Sequence, residues 1–456
     1  MAATAVPVQS PPGSDLMLAE PASPVAAALA APQILVPSTL GTTLDSRPLD
    51  LTPLAAPLAK VAQIEAWLGA ELIEREEATR VALIAMLSGQ HAALIGPPGT
   101  AKSLLILLLA QAFDLSKFIT LCSPHTKLED LLGPLRLSQL PRDIYARLTT
   151  GYMPSAQLAF LDECFNLGPA VTQATLRLMN EREFDNGNRT ERAPLISIFA
   201  ASNQIPQTPD TMAFYDRFTF RLWINYVSRA NFPRLMALTA NRPSGQMLRV
   251  LAHNMPVFAS QHGLLTLAPP PVVVGQDELF SLMWVAAHVP IPQSVLATLD
   301  KLYDELGGKG IYVSDRRWRQ SQDALRVSAL LDGRGIVTND DIAVYSNMFW
   351  TTREQRVTIA QIVERLGNPL AVAAVDKRDQ AKTAYDAAIA AQADPDLDNG
   401  RKMNATVEAL GKLKETAQSL EALLAQAQQQ AMNVTKIQRA LDAVQGWRKE
   451  LSEYVL

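Results

Sequence analysis

The sequence holds only two cysteines, Cys122 and Cys164, in 456 residues. Two are too few for a disulfide framework or a multi-cysteine metal site, and they suit a reducing compartment. The five histidines are scattered, without HxxxH or CxxC spacing, so no structural zinc is expected. Charge of one sign is not in excess either. A net charge of −4 gives no general attraction to nucleic acid or an anionic membrane, although a local basic stripe stays open. The strongest apolar run, residues 104–112, is about half the length a bilayer span requires. No basic start followed by an apolar block marks a signal peptide. The expectation is a cytoplasmic protein without membrane insertion and without nucleic acid as a partner. What is present is ordinary for a globular chain of two or three domains, 48% hydrophobic and 19% charged.

Residues 1–57 are rich in Pro and Ala, carry Arg47 as their single basic side chain, and precede the first aromatic residue, Trp67. Such a segment buries too little to offset the entropy of ordering it, and it reads as a disordered tail. From residue 58 to about 225, helical periodicities at 58–68, 72–87 and 171–181 alternate with short apolar runs at 91–95, 118–122, 158–161, 195–201 and 218–224. That alternation predicts a parallel sheet covered by helices on both faces. Residues 226–353 read mostly as helix, with a loop-rich stretch at 243–277 and Thr338 as a helix N-cap opposite Asp341. Residues 354–456 are rich in Ala, Gln, Glu, Lys and Leu. There Val407, Leu410, Leu413, Ala417, Leu420 and Leu424 recur in steps of three and four, giving a helical hairpin or three-helix coil.

The sharpest chemical signal is Gly96-Pro97-Pro98-Gly99-Thr100-Ala101-Lys102-Ser103-Leu104, between an apolar strand and an apolar helix. A phosphate chain needs backbone N–H groups turned inward at a helix N-terminus, and glycine lets the backbone come close. Lys102 would reach the β- and γ-phosphates, and the Ser103 hydroxyl would bind Mg²⁺. Ala101 stands where glycine is usual before the lysine, so the loop is expected to take a backbone angle that alanine accepts. A second apolar run ends in Asp162-Glu163. Asp162 would hold Mg²⁺ through water, and Glu163 would polarise the water attacking the γ-phosphate. A third ends in Asn203, placed to hold that water or sense the γ-phosphate. In Tyr215-Asp216-Arg217-Phe218, Arg217 is the candidate for an arginine supplied to a neighbouring subunit, with Arg221 as the alternative. In Val313-Ser314-Asp315-Arg316-Arg317-Trp318, Arg316 would touch the γ-phosphate from the second domain. Two arginines at a helix start oppose the macrodipole and hint at an anion nearby.

Together these motifs resemble the MoxR family of AAA+ ATPases, and within it the regulatory ATPase variant A (RavA-like) branch. The matching features run from about residue 72 to 350 and include Thr149-Thr150-Gly151-Tyr152-Met153-Pro154, Asn180-Glu181-Arg182 and Tyr312-Val313 beside those above. The resemblance implies an AAA+ P-loop α/β domain, an all-α lid, ATP and Mg²⁺ as cofactors, and a homo-oligomeric, hexameric ring. It also implies chaperone-like remodelling of a client protein, commonly with a von Willebrand factor A (VWA) domain partner that binds a metal ion. The C-terminal part lacks the strand-rich module such a branch uses to bind lysine decarboxylase, so that partner is not expected. Three other readings compete: the motor subunit of a metal-chelatase-like complex, a nucleic-acid motor, and a scaffold that binds nucleotide only as a switch.

Overall fold

The computed structural model describes residues 47–187, 189–240, 269–394, 397–429 and 432–454. In chain order the first half carries helices α1 (Ala55–Glu71) and α2 (Glu76–Leu87), strand β1 (Ala92–Ile95), α3 (Lys102–Ala112), β2 (Lys117–Leu121), α4 (Leu128–Leu132) and β3 (Leu158–Asp162). It continues with α5 (Pro169–Glu181), β4 (Glu183–Asn186), β5 (Arg189–Arg192), β6 (Ser197–Ser202), α6 (Pro209–Tyr215) and β7 (Phe220–Trp223). Five strands form one sheet in the order β2-β3-β6-β1-β7, every pair parallel. β1 and β6 are buried at every position and β3 at all but its last, the signature of a sheet covered on both faces. Helix α3 is apolar on nearly every side, and most of its residues are buried.

This is the doubly covered α/β layer the sequence pattern predicts. One element escaped it. β4 and β5 form an antiparallel hairpin whose strands are polar and mostly exposed, so no apolar alternation marks them. The readable signal was the Gly187-Asn188 dipeptide that the sequence places between them, a common hairpin-turn pair. The hairpin leans on the segment joining α4 to β3. The Arg147 amide donates to the Asn186 side chain, and a Cβ at Gly187 would meet the Tyr145 carbonyl at 1.7 Å.

The second half is helical: α7 (Phe232–Ala240), α8 (Gln276–His288), α9 (Gln293–Gly308), α10 (Asp315–Leu331), a 3-10 helix at Asn339–Asn347, and α11 (Arg353–Gly367). Thr338 does cap with Asp341, but the turn it opens is 3-10 rather than α. Most of the stretch expected as loop at 243–277 lies outside the described residues. Among the described residues no single helix is long and apolar enough to cross a membrane. One apolar core runs through the α/β layer and these helices.

A separate core holds three C-terminal helices together: α12 (Pro369–Ala393), α13 (Asn399–Gln429) and α14 (Thr435–Ser452). Its seam on α13 is Thr406, Ala409, Leu413, Ala417, Leu420 and Ala427. Val407, expected on that seam, is 53% exposed. Thr406, one residue before it, takes the inward position at that turn, so Val407 faces outward. The coil is anchored to the lid by Asp340, which accepts from the Asn368 side chain at 2.8 Å and the Asn433 amide at 2.6 Å.

Most of the tail expected to be disordered to residue 57 lies outside the described residues. Its last part is folded. The Leu49 amide donates to the Gly335 carbonyl at 2.9 Å, and Leu54 is fully buried. The apolar groups Leu49, Leu51 and Leu54 pack into the main core and offset the ordering cost that Pro/Ala composition alone cannot.

Candidate functional site

In a parallel sheet all strands deliver their C-terminal ends to one edge, and three of the predicted groups meet there. The Gly96–Leu104 loop follows β1, Asp162-Glu163 ends β3, and Asn203 follows β6. These three strands are adjacent in the order β3-β6-β1.

The loop is shaped by close approach. Gly96 has φ +154°, and a Cβ there would meet the Ile224 carbonyl oxygen at 2.0 Å. Gly96→Ala is therefore expected to force the loop away from the sheet edge and abolish nucleotide binding, read by titration with a fluorescent nucleotide. Near-native affinity would show that the loop tolerates a shift of its first residue. Ala101 overturns the expectation drawn for it. It lies in the left-handed region at φ +63°, ψ +25°, the conformation glycine would take, at a steric cost of about 1–2 kcal/mol. The next residue, Lys102, opens α3 with its side chain folded inward and is 8% exposed. Its ammonium donates to the carbonyls of Gly96 at 2.8 Å and Pro97 at 2.9 Å. Burial lowers its pKa, while Asp162 and Glu163 nearby act in the opposite direction. That opposition places both carboxylates within electrostatic reach of the ammonium. Ser103 follows with its side chain exposed at the first turn of α3.

Glu163 has φ +52°, a turn that ends β3 and lifts its side chain off the sheet. The Asn203 side-chain amide donates to a Glu163 carboxylate oxygen. The two residues thus share one position, although forty residues separate them in sequence. Beneath them, Cys122 and Cys164 are buried. Burial first, and the carboxylates next, push the Cys122 thiol up to about 12, so it stays protonated.

Sequence reasoning missed Arg75, for which no local motif exists. It is buried behind the loop, where its guanidinium donates to the carbonyls of Thr100 at 3.1 Å, Glu74 at 2.7 Å and Asn225 at 2.7 Å. It ties the loop to the segment after β7. A cleft of 190 Å³ opens beside it, lined by Glu74, Arg75, Ala78, Trp223, Asn225 and Arg356 among others.

Arg217 and Arg316 are not at this edge. Arg217 precedes β7 by three residues, at the sheet's opposite, N-terminal edge. From Phe220 to Ile224, the residue beside Gly96, the strand already rises ~13 Å. Burial first, and the charge of Arg316 next, lower the Arg217 pKa, while Asp216 acts in the opposite direction; the Arg217 Nη1 donates to the Ala213 carbonyl at 3.4 Å. Its Nε is buried with no hydrogen-bond partner. The lid helix α10 brings Arg316 there. The Ser314 hydroxyl approaches the Asp216 carboxylate at 3.5 Å, and Arg317 makes a salt bridge with the same carboxylate. Arg317 is buried and serves this internal pair, which explains one of the two arginines at the start of α10; Arg316 remains exposed. Arg221, the alternative to Arg217, is 1% exposed. Its guanidinium lies over the Tyr215 ring at 3.8 Å and donates to the Trp350 carbonyl at 2.6 Å. A side chain so enclosed cannot reach out to another subunit.

The α/β layer and the helical lid agree with the comparisons. Residues 59–249 match the MoxR domain in the MoxR-vWA-beta-propeller ternary systems, and residues 294–363 match an AAA lid domain. The chain belongs to the MoxR family of AAA+ ATPases. Two relatives are uncharacterized proteins of Methanocaldococcus jannaschii. One is 30% identical over 320 residues, covering 70% of this chain and 77% of its own length. The other is 27% identical over 389 residues, covering 85% and 97%. A crystal structure from Cytophaga hutchinsonii, described as a candidate ATPase, shares the fold at 18% identity. Its TM-score is 0.53, covering 69% of this chain and 94% of that one.

Proposed function

We propose that this MoxR protein hydrolyses ATP in an assembly of its own copies, each copy's Arg217 and Arg316 acting at the next copy's site. The observation that carries this reading is the separation of charges along one sheet. The acids and the phosphate loop occupy one edge, and Arg217, with Arg316 brought beside it by the Asp216–Arg317 bridge, occupies the other. Within one chain the γ-phosphate would be out of their reach.

The chemistry follows from the residues. Loop amides from Gly99 to Ser103 cradle the phosphates, and Lys102 exchanges its carbonyl partners for β- and γ-phosphate oxygens. The cleft beside Arg75 would receive the base. Ser103 and Asp162 are hard oxygen donors at the mouth of the loop and fit Mg²⁺, which when bound neutralises phosphate charge. Glu163 accepts a proton from water as the water oxygen attacks the γ-phosphorus. The bond to the β–γ bridging oxygen breaks, and ADP departs with its electron pair. Asn203 orients Glu163 and the water. Arg217 and Arg316 of the neighbour stabilise the charge that spreads over the γ-oxygens.

We read the coupled task as remodelling of a partner protein. A VWA-domain protein is the proposed cofactor partner, on the strength of the ternary systems named for the matching domain. A client protein, a hexameric ring and placement in the RavA-like branch belong to the same reading, supported by the helical coil carried on the lid. Turnover per chain should rise with protein concentration and level off once assembly is complete. A rate per chain that stays constant from nanomolar to micromolar protein would remove the shared site.

A further inference from the structure

The sheet has two edges, and the chain treats them differently. Along β7, Arg221 is bonded to Trp350 and the Arg353 guanidinium lies over the Trp223 ring at 4.9 Å, so the lid covers that flank. β2, at the other edge, pairs with β3 alone. Lys117 charges the start of its outward face, but the rest of that face is apolar and open: Ile119 is 43% and Leu121 69% exposed. An open apolar edge strand is a surface that natural proteins normally cover or charge. Leu121 is also the register partner of Asp162. Anything that brings cations to the acid pair from the open flank must pass over Leu121.

The cations have apolar company of their own. Tyr312, four residues before Arg316, is 85% exposed, the most open of the large apolar side chains among the described residues. Tyr303, 60% exposed, sets its ring 5.9 Å from Trp318, two residues beyond Arg316. We infer that the β2 edge of one copy, through Ile119 and Leu121, docks against Tyr312 and Tyr303 of the next. This contact sets that copy's Arg217 and Arg316 over the acid pair. The two faces are complementary in both respects: exposed aliphatic groups beside the acid pair on one, exposed aromatic groups beside Arg217 and Arg316 on the other. Because the faces differ, the contact is head-to-tail and repeats from copy to copy. Tyrosine is also a residue on which interface energy concentrates, since it buries a large area at low entropic cost. Tyr312 is a positioning residue here, acting through the arginines rather than touching nucleotide. The inference rests on the shared-site reading above and names its contact.

The test uses the full chain. Tyr312→Ala should raise the protein concentration giving half-maximal turnover by at least ~10-fold. The rate at saturating concentration should stay near wild type, and Tyr312→Phe should behave as wild type. A defect confined to chemistry would lower the plateau instead. In parallel, Leu121→Cys mixed with Tyr312→Cys should give an inter-chain cross-link under mild oxidation that neither variant gives alone. If turnover remains concentration-dependent, Glu163→Gln and Arg217→Ala complement each other, and yet Tyr312→Ala is silent and no cross-link forms, the docking surface is wrong while the shared site stands. Turnover independent of concentration overturns both.

Discussion

Glu163→Gln should bind ATP with wild-type affinity or better and lose turnover by about 10²–10⁴-fold, the range a positioned general base contributes. The amide keeps the size of the carboxylate and an oxygen at the same place, so the hydrogen bond from Asn203 can persist and the fold around β3 has no reason to change. Two things do change. The group can no longer take a proton from water, and one negative charge disappears from beside the phosphate loop. Lys102 is balanced between burial, which disfavours its charge, and the two carboxylates, which favour it. Removing one carboxylate also removes a repulsion that the nucleotide's phosphates would meet, which is why binding should hold or tighten. Binding is measured with a fluorescent ATP analogue, and hydrolysis as phosphate release under single-turnover conditions. Turnover within about threefold of wild type would exclude Glu163 as the base and shift attention to Asp162. Loss of binding together with turnover would mean that Glu163 holds the loop rather than the water.

The acid pair was legible in the sequence because an apolar strand that stops at two carboxylates has few structural reasons to do so once a phosphate loop precedes it. The loop and Asn203 were legible on the same logic, each at the end of an apolar run. The sheet order was not readable, yet the order is what sets β3, β6 and β1 side by side. Arg75 was invisible, since its three partners are backbone carbonyls from distant segments and a carbonyl leaves no mark on composition. The opposite fates of Arg217 and Arg221 were also beyond the sequence. They are four residues apart, and only the packing of the lid against Tyr215 and Trp350 decides that one is enclosed and the other left at a surface. Arg316 and Arg317 divide in the same way, by which of them faces Asp216. Ala101 misled for a physical reason. Composition suggested a loop relaxed for alanine, but the fit of Gly96 against Ile224 and the hold of Arg75 on Thr100 fix the path on both sides. Ala101 then absorbs the left-handed turn. Val407 misled because apolar spacing alone does not fix the phase of the helix: the polar Thr406 beside it holds the buried position.

Arg217→Ala alone should lower turnover by about 10³–10⁵-fold, the effect of withholding an arginine from phosphoryl transfer. The larger consequence appears on mixing. A copy carrying Arg217→Ala still has Glu163, and a copy carrying Glu163→Gln still has Arg217. Where the first supplies the acid and the second the arginine, the junction between them is complete. In an equimolar mixture of copies that exchange freely, about a quarter of head-to-tail junctions have this arrangement. Two inactive proteins should therefore recover about a quarter of wild-type turnover. If Arg217 acted within its own chain, every copy would lack one essential group and the mixture would stay inactive. Arg316 sharpens the test, because its neighbour is Arg217 and not the loop. Arg316→Ala should complement Glu163→Gln but not Arg217→Ala, since copies carrying Arg316→Ala or Arg217→Ala each hand the next copy only one of the two arginines. Recovery in the Arg217→Ala with Arg316→Ala mixture would mean that Arg316 serves its own chain's nucleotide. The lid would then have to swing α10 away from Asp216, breaking the Arg317 bridge that now holds it.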